Sequence, residues 1–293
     1  MARCQLGVRT QEVGGKGIIF FIIAIIIFLC FPVYGEELRV ISLYPGHTEN
    51  IFAMGGEKIL IAVSENDDDD LLSELPRISL RAGAEKFLAL KPDVVVTRSF
   101  AERLNPNLYE VLERAGVIII SLDPPKWNEF EIYLETLGKA LGLDYEAAIK
   151  KLHDIKTSCL LPPNSYFLTV FIEATSKEIH TCAPDSWAAN LIALAGGINT
   201  AKDAKPLRPG SSIAAWGVER VLKSLENKNL DVYIIQTGAM NRATLDDFYK
   251  REWSGALKGV KVREVPEKYL SRPSLLGLEK GLNELRKILW SDD

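Results

Sequence analysis

The sequence predicts an α/β protein of two like-built lobes joined by a helical segment. Three observations predict it. From residue 39 to 122, near-continuous apolar runs alternate with short helical patterns, which marks strands of a parallel sheet separated by helices. From 127 to 158 the pattern is helical without a strand. At Tyr166 the alternation starts again and ends in an amphipathic helix over 275–290.

In the first lobe, 39–44 (RVISLY) has the apolar character of a strand buried on both faces. Residues 48–54 have helical spacing and stop at Gly55-Gly56. Strand 59–63 follows, then the acidic stretch 67–70, which suits a solvated turn. A short helix over 85–90 ends at Lys91-Pro92, since the residue before proline disfavours the helical region. Strand 93–97, helix 108–115 closed by Gly116, and strand 117–122 complete the unit.

The helical segment breaks at Gly142, and Asp144 is placed to cap a second helix whose apolar face is Ala148, Ile149, Leu152 and Ile155. Pro162-Pro163 ends it. Strands are then expected at 166–172, 179–182, 231–236 and 260–265, and helices at 187–195, 219–225 and 275–290. A weak repeat links the halves. Glu85-Lys86-Phe87-Leu88 leads to Asp93-Val94-Val95-Val96, and Glu219-Arg220-Val221-Leu222 leads to Asp231-Val232-Tyr233-Ile234. The expected boundaries are 1–35 for an export segment, 36–126 for the N-terminal lobe, 127–161 for the helical linker and 162–293 for the C-terminal lobe. A cleft between two such lobes is the usual ligand site.

Residues 18–31 are 14 consecutive apolar residues preceded by Arg3, Arg9 and Lys16. A basic lead, a short apolar core and a small residue at Gly35 describe a signal peptide. The run is short for a spanning helix of about 20 residues, and an uncleaved anchor is the alternative. Either reading gives an expected location that is periplasmic or extracytoplasmic. Loss of Arg3, Arg9, Lys16 and Glu12 leaves 32 basic and 38 acidic residues. That acidity argues against a nucleic-acid partner. Of four cysteines, Cys159 and Cys182 remain, and they form either one disulfide or two buried thiols.

No phosphate-binding loop, dinucleotide fingerprint, nucleophile elbow or HExxH motif occurs. Three scattered histidines, His47, His153 and His180, give no metal-ligand spacing. No catalytic residue is assigned, and a binding protein is the simpler reading.

At this point the chain resembles the class III solute-binding proteins of ABC importers, the group serving cobalamin, haem and ferric siderophores. Four segments carry the resemblance, in the family's order. They are Arg39-Val-Ile-Ser-Leu-Tyr-Pro-Gly-His-Thr-Glu49, Gly83-Ala-Glu85 through Lys91-Pro92-Asp93-Val94-Val95-Val96, Asp185-Ser186-Trp187 through Ala195-Gly196-Gly197-Ile198-Asn199, and Leu270-Ser271-Arg272-Pro273. The resemblance implies two Rossmann-like lobes with mostly parallel sheets, bridged by a long α-helix, with ligand held in the cleft between lobes. It implies an importer's binding component, a monomer that captures an iron chelate or corrinoid and delivers it to a permease driven by an ATPase subunit. No intrinsic cofactor and no enzymatic activity are implied. Glu85 and Glu219 correspond to the family's permease-docking carboxylates, although a glutamate in a first helical turn is also favoured by the helix dipole.

The expected cleft residues are Tyr44, His47, Arg98, Glu173, Trp187, Arg208, Trp216 and Arg272. They follow from loops after strands, where open α/β sheets bind ligands. Aromatic rings there would stack on a planar ligand, and arginines would hold carboxylate or phosphate. His47 either ligates a metal centre or caps the helix at Thr48. The competing function is an extracytoplasmic enzyme or metal-cluster protein on the same bilobed fold.

Overall fold

The computed structural model describes residues 37–68, 72–158 and 167–291. The export segment 1–35, Cys159 and part of the acidic stretch 67–70 lie outside them. The chain divides into two compact units: 37–44 with 57–123, and 45–56 with 124–291, among the described residues. Two features differ from the boundaries read in the sequence. Residues 45–56 group with the second unit, and so does the helical segment after Asp123.

The first unit is one parallel sheet. Strands β1 (Val40–Ser42), β2 (Leu60–Ser64), β3 (Arg77–Ile78), β4 (Val94–Thr97) and β5 (Ile118–Ser121) lie in the order β3-β2-β1-β4-β5. Every residue of β1 and β4 is buried, as their unbroken apolar runs require. Between β1 and β2 the chain forms α1 (Pro45–Ala53), which groups with the second unit. Helices α2 (Ala84–Leu88), α3 (Ser99–Leu104) and α4 (Pro106–Arg114) follow. Phe87, Leu108 and Leu112 from α2 and α4 fill the core with Ile41, Leu43, Ala62 and Val95. Strand order reverses between β1 and β4, so the carboxyl ends of these two strands border the sheet's switch point.

The second unit opens with a 3-10 turn (Trp127–Glu129) and helices α5 (Phe130–Leu141) and α6 (Tyr145–Thr157). They separate at Gly142, and the Asp144 carboxylate accepts the Ala147 N–H at 3.0 Å, as expected. The sheet contains β6 (Thr169–Thr175), β7 (His180–Cys182), β8 (Ile198–Asn199), β9 (Lys205–Pro206), β10 (Ile213–Ala215), β11 (Val232–Thr237) and β12 (Lys261–Pro266). Their order is β12-β11-β6-β7-β10-β9, with β8 beside the start of β6. Strands β8, β6, β11 and β12 are parallel, whereas β7, β10 and β9 extend the sheet in antiparallel fashion. In the parallel part, β6 and β11 occupy the places that β1 and β4 hold in the first unit. Helices α7 (Trp187–Leu194), α8 (Val218–Glu226), α9 (Leu245–Tyr249), α10 (Glu267–Leu270) and α11 (Leu275–Trp290) complete it. Leu278, Leu282, Leu285 and Leu289 form the buried stripe of α11. A Cβ at Gly281 would overlap the Tyr269 carbonyl oxygen, so glycine is what lets α10 approach α11.

Helix α1 starts at Pro45, three residues before the expected Thr48. Proline suits a first helical position because its missing N–H would have no partner there. The helix is fixed to the start of α11. Glu49, 7% exposed, accepts hydrogen bonds from Arg272 Nη1 at 2.5 Å and from the Ser274 hydroxyl. Asn50 donates to the Pro273 carbonyl at 3.0 Å and accepts the Leu275 N–H at 3.0 Å. Two of the sequence segments singled out above therefore meet here.

Removing one partner of a buried ion pair leaves the other charged group without compensation. Glu49→Ala is expected to lower unfolding stability by about 3 kcal/mol, measured as a reduced urea midpoint at unchanged slope. An unchanged midpoint would show that the pair contributes nothing.

Candidate functional site

The best-formed site in the first unit lies where β1 and β4 end. Tyr44 follows β1 and Arg98 follows β4, and the Arg98 guanidinium sits 4.8 Å from the Tyr44 ring centroid. On its other side is Phe100 at 5.2 Å, a side chain 47% exposed. Arg98 makes no hydrogen bond or ion pair with a described side chain, and its buried Nε has no partner. Two aromatic faces hold it by cation–π attraction, which uses none of its N–H groups. Arg98 is also the residue before α3, whose first turn is tied down from β5. Asp123 accepts the Ser99 N–H at 3.0 Å and the Ser99 hydroxyl at 2.6 Å. A separate cavity of about 310 Å³, which Arg98 does not line, is bounded by Ser99, Glu102, Arg103, Pro106, Tyr109 and Glu110. The Tyr109 hydroxyl pairs with Thr97 at 2.9 Å. Burial, aided by the nearby Glu102 charge and opposed by the Thr97 hydrogen bond, keeps its phenol above the ordinary range.

The corresponding strand ends in the second unit are filled. Glu173, expected to face ligand, is completely buried. It accepts from Arg251 twice, at 2.5 and 2.8 Å, from the Tyr233 hydroxyl at 2.6 Å and from Asn241 at 3.2 Å. Burial first, and then this carboxylate, push the Tyr233 phenol well above its ordinary pKa. Glu173 is therefore corrected from a ligand-facing group to an interior one, because a carboxylate in an apolar strand takes every donor within reach.

His47 is also interior. It is fully buried in α1, with Nδ1 2.6 Å from the Tyr133 hydroxyl and its ring stacked on Tyr133. Tyr133 stacks on Phe130, and Trp187 meets both Phe130 and Trp127 edge-on at 4.9 and 4.8 Å. Trp187 is 6% exposed. The ring stacking expected of Trp187 thus falls within one ladder of rings in the unit's interior, and His47, expected either to ligate a metal or to cap the helix at Thr48, is a buried member of that ladder inside α1. Arg272 is occupied by Glu49. Arg208 is exposed in the loop before β10, and Trp216 lies just after β10, so that strand separates the two. Arg220 covers the Trp216 ring at 3.6 Å and pairs with Asp203 at 2.6 Å.

Glu85 and Glu219 occupy equivalent places. Each is the second residue of its helix, α2 or α8, and each helix leads into β4 or β11, the strand across the switch point. Gly83 and Gly217 precede them, and the positive φ of 92° at Gly217 is left-handed backbone that favours glycine. Both carboxylates are exposed and make no hydrogen bond or ion pair with a described residue.

Cys182 carries a free, buried thiol. The expected bridge partner, Cys159, lies outside the described residues. Burial pushes the Cys182 thiol up to about 11. Among the described residues no three His, Cys, Asp or Glu side chains converge as a metal-ligand set, and no helix is long and apolar enough to cross a membrane.

Sequence reasoning missed Phe100, Glu102, Tyr109 and Asp123. The short helix α3 has too few apolar residues to show a period, and its anchor, Asp123, is 24 residues away. The usable signal was Asn105-Pro106, which marks a new helix start.

No family model matches the chain. It is 23% identical over 272 residues to the ABC transporter substrate-binding lipoprotein YvrC of Bacillus subtilis, covering 88% of this chain and 81% of that one. It is 28% identical over 182 residues to the vitamin B12-binding protein of Vibrio cholerae, which spans 60% of this chain and 65% of that protein. Among solved structures, one described as a possible iron-binding (periplasmic solute-binding) protein of Staphylococcus epidermidis superposes with a TM-score of 0.68 at 19% identity. That match covers 86% of this chain and 98% of the other.

Two outcomes follow from this geometry. Arg251→Ala is expected to cost about 3–5 kcal/mol by orphaning Glu173, while Arg98→Ala stays within about 0.5 kcal/mol of the parent; urea unfolding of both variants measures the contrast, and equal losses would overturn it. Cys182, with its raised pKa and no solvent access, is expected to resist iodoacetamide at pH 8 in the native chain and to react in urea. Peptide-level mass spectrometry reads this directly, and native-state alkylation of the Cys182 peptide would contradict it.

Proposed function

We propose that this chain, a class III substrate-binding protein of ABC importers, captures a metal-bearing macrocycle or ferric chelate and delivers it to a membrane permease served by an ATPase subunit. The observation that carries this reading is the matched pair of glutamates. Each unit presents one exposed, unpartnered carboxylate at the same point of its own repeat. Neither carboxylate makes a hydrogen bond or ion pair with a described residue, so beyond the modest helix-dipole preference for a first-turn glutamate both remain available to a partner. Two equivalent carboxylates are suited to basic residues on a two-fold partner. Charges of this kind act chiefly by steering association and fixing register.

The kinship with binding proteins favours a chain without catalysis; export by residues 1–35 and a monomeric working form are proposed alongside it. The lobes 36–126 and 162–293, with the linker 127–161, remain the proposed functional division. Ligand contacts are proposed at Tyr44 and Arg98 in the first unit and at Trp216 and Arg208 in the second. A disulfide between Cys159 and Cys182 would require the buried Cys182 thiol to be reached by its partner before folding is complete. The ligand classes are those of the relatives, vitamin B12 and iron complexes, with haem as the third probe.

Tryptophan fluorescence titration with cyanocobalamin, haemin and ferric siderophores tests capture. The double reversal Glu85→Lys with Glu219→Lys is expected to leave the ligand Kd unchanged and to abolish uptake in reconstituted vesicles. Loss of ligand affinity in the double variant would show that these carboxylates serve the binding site instead.

A further inference from the structure

Helix α3 leaves two large apolar side chains in water. Phe100 is 47% exposed and Leu104 45%. Both lie within α3, four residues apart, and so share one face of it. The helix reaches the core through Ala101 instead, which is fully buried. Apolar side chains exposed singly are ordinary, whereas contiguous ones mark an interaction surface.

The loop that carries Glu85 is fixed to the end of this helix. Asn105, next after Leu104, donates from Nδ2 to the Ala82 carbonyl at 3.3 Å. Gly83 follows Ala82, and the Glu85 carboxylate folds back over it: a Cβ at Gly83 would overlap both carboxylate oxygens. Contacts therefore run from Leu104 through Asn105, Ala82 and Gly83 to the Glu85 carboxylate without a break. The exposed carboxylate and the exposed apolar pair belong to one surface of the first unit. Glu219 lacks this arrangement, since a Cβ at Gly217 would meet nothing within 4 Å.

The surface defines the chemistry of what it receives. A bare carboxylate accepts any cation. A carboxylate with an apolar face beside it suits a long basic side chain, whose methylene stem lies on the apolar face while the charged head reaches the oxygens. The two parts also do different things. An exposed charge chiefly speeds association, and a desolvated apolar contact chiefly slows dissociation.

We propose that Phe100, Leu104 and Glu85 form one docking surface for a lysine or arginine of the permease, with Gly83 and Asn105 setting the carboxylate beside the apolar pair. This rests on the reading of the chain as an importer's binding component. It adds to the paired glutamates an apolar contact, on the first unit, that governs how long the complex lasts.

The test is surface plasmon resonance of the purified chain over nanodiscs holding its permease–ATPase complex. Leu104 is the position to change, because Phe100 also lies against Arg98. Leu104→Ser is expected to weaken docking about tenfold, as loss of one buried leucine contact predicts, and to do so through faster dissociation. Its fluorescence titrations with cyanocobalamin, haemin and ferric siderophores are expected to match the parent's. Glu85→Gln is expected to act through slower association that responds less to salt. Gly83→Ala displaces the carboxylate, so it is expected to slow association in the parent and to add nothing in the Glu85→Gln background. Parent-like dissociation of Leu104→Ser, or a shifted ligand Kd in that variant, would overturn the inference; the importer reading then stands on the docking defect of Glu85→Gln. Failure of the parent chain to dock at all would overturn both.

Discussion

The arrangement depends on one buried carboxylate. Glu49 lies in the first helix of the chain and is held by Arg272 and Ser274, 223 and 225 residues further on. Asn50 adds two hydrogen bonds to the same junction. The consequence is topological. In an ordinary doubly wound sheet, the helix after the first strand packs back on that sheet. Here that helix joins the end of the chain instead, and the first sheet gives up its earliest crossover helix. Closing a loop of this length is entropically unfavourable, though the cost grows only slowly with length. The Glu49 junction must offset it with several well-formed contacts at once, and its hydrogen bonds together with the buried stripe of α11 supply them.

The two sheets then use the same topological position in opposite ways. At the ends of β6 and β11, Glu173 draws in Arg251, Tyr233 and Asn241 and fills the switch point with a saturated buried cluster. At the ends of β1 and β4 the charged residue is Arg98, and its neighbours are rings. A carboxylate surrounded by donors becomes part of the interior. A guanidinium between two aromatic faces keeps its hydrogen-bonding capacity for something else. Residue type at one equivalent position thus separates a switch point filled by a buried polar cluster from one where a guanidinium lies between aromatic rings.

What could be read in the sequence followed the range of the interactions. The parallel strands, the break at Gly142, the cap at Asp144 and the paired Glu85 and Glu219 are local patterns, and each appears where its period or spacing placed it. His47 and Glu173 were misplaced for the opposite reason. Both looked like loop or strand-end groups, and the partners that bury them, Tyr133 and Arg251, lie 86 and 78 residues away. A carboxylate inside the run YFLTVFIEA already signals a buried partner, yet nothing local names it. The mixed character of the second sheet was hidden because the antiparallel strands β9 and β10 have only two or three residues each. Strands that short have no measurable alternation.

The Arg98 position shows why an unsatisfied group can be stable in a folded protein. Its cost is borne by the rest of the unit, where the core around Phe87, Leu108 and Leu112 is closed and the Ser99–Asp123 hydrogen bonds hold the first turn of α3. Tyr44 and Phe100 restrict the guanidinium plane, and the helix restricts Glu102. The unsatisfied atoms of Arg98 and Glu102 are thus tolerated by the unit and add nothing to its stability.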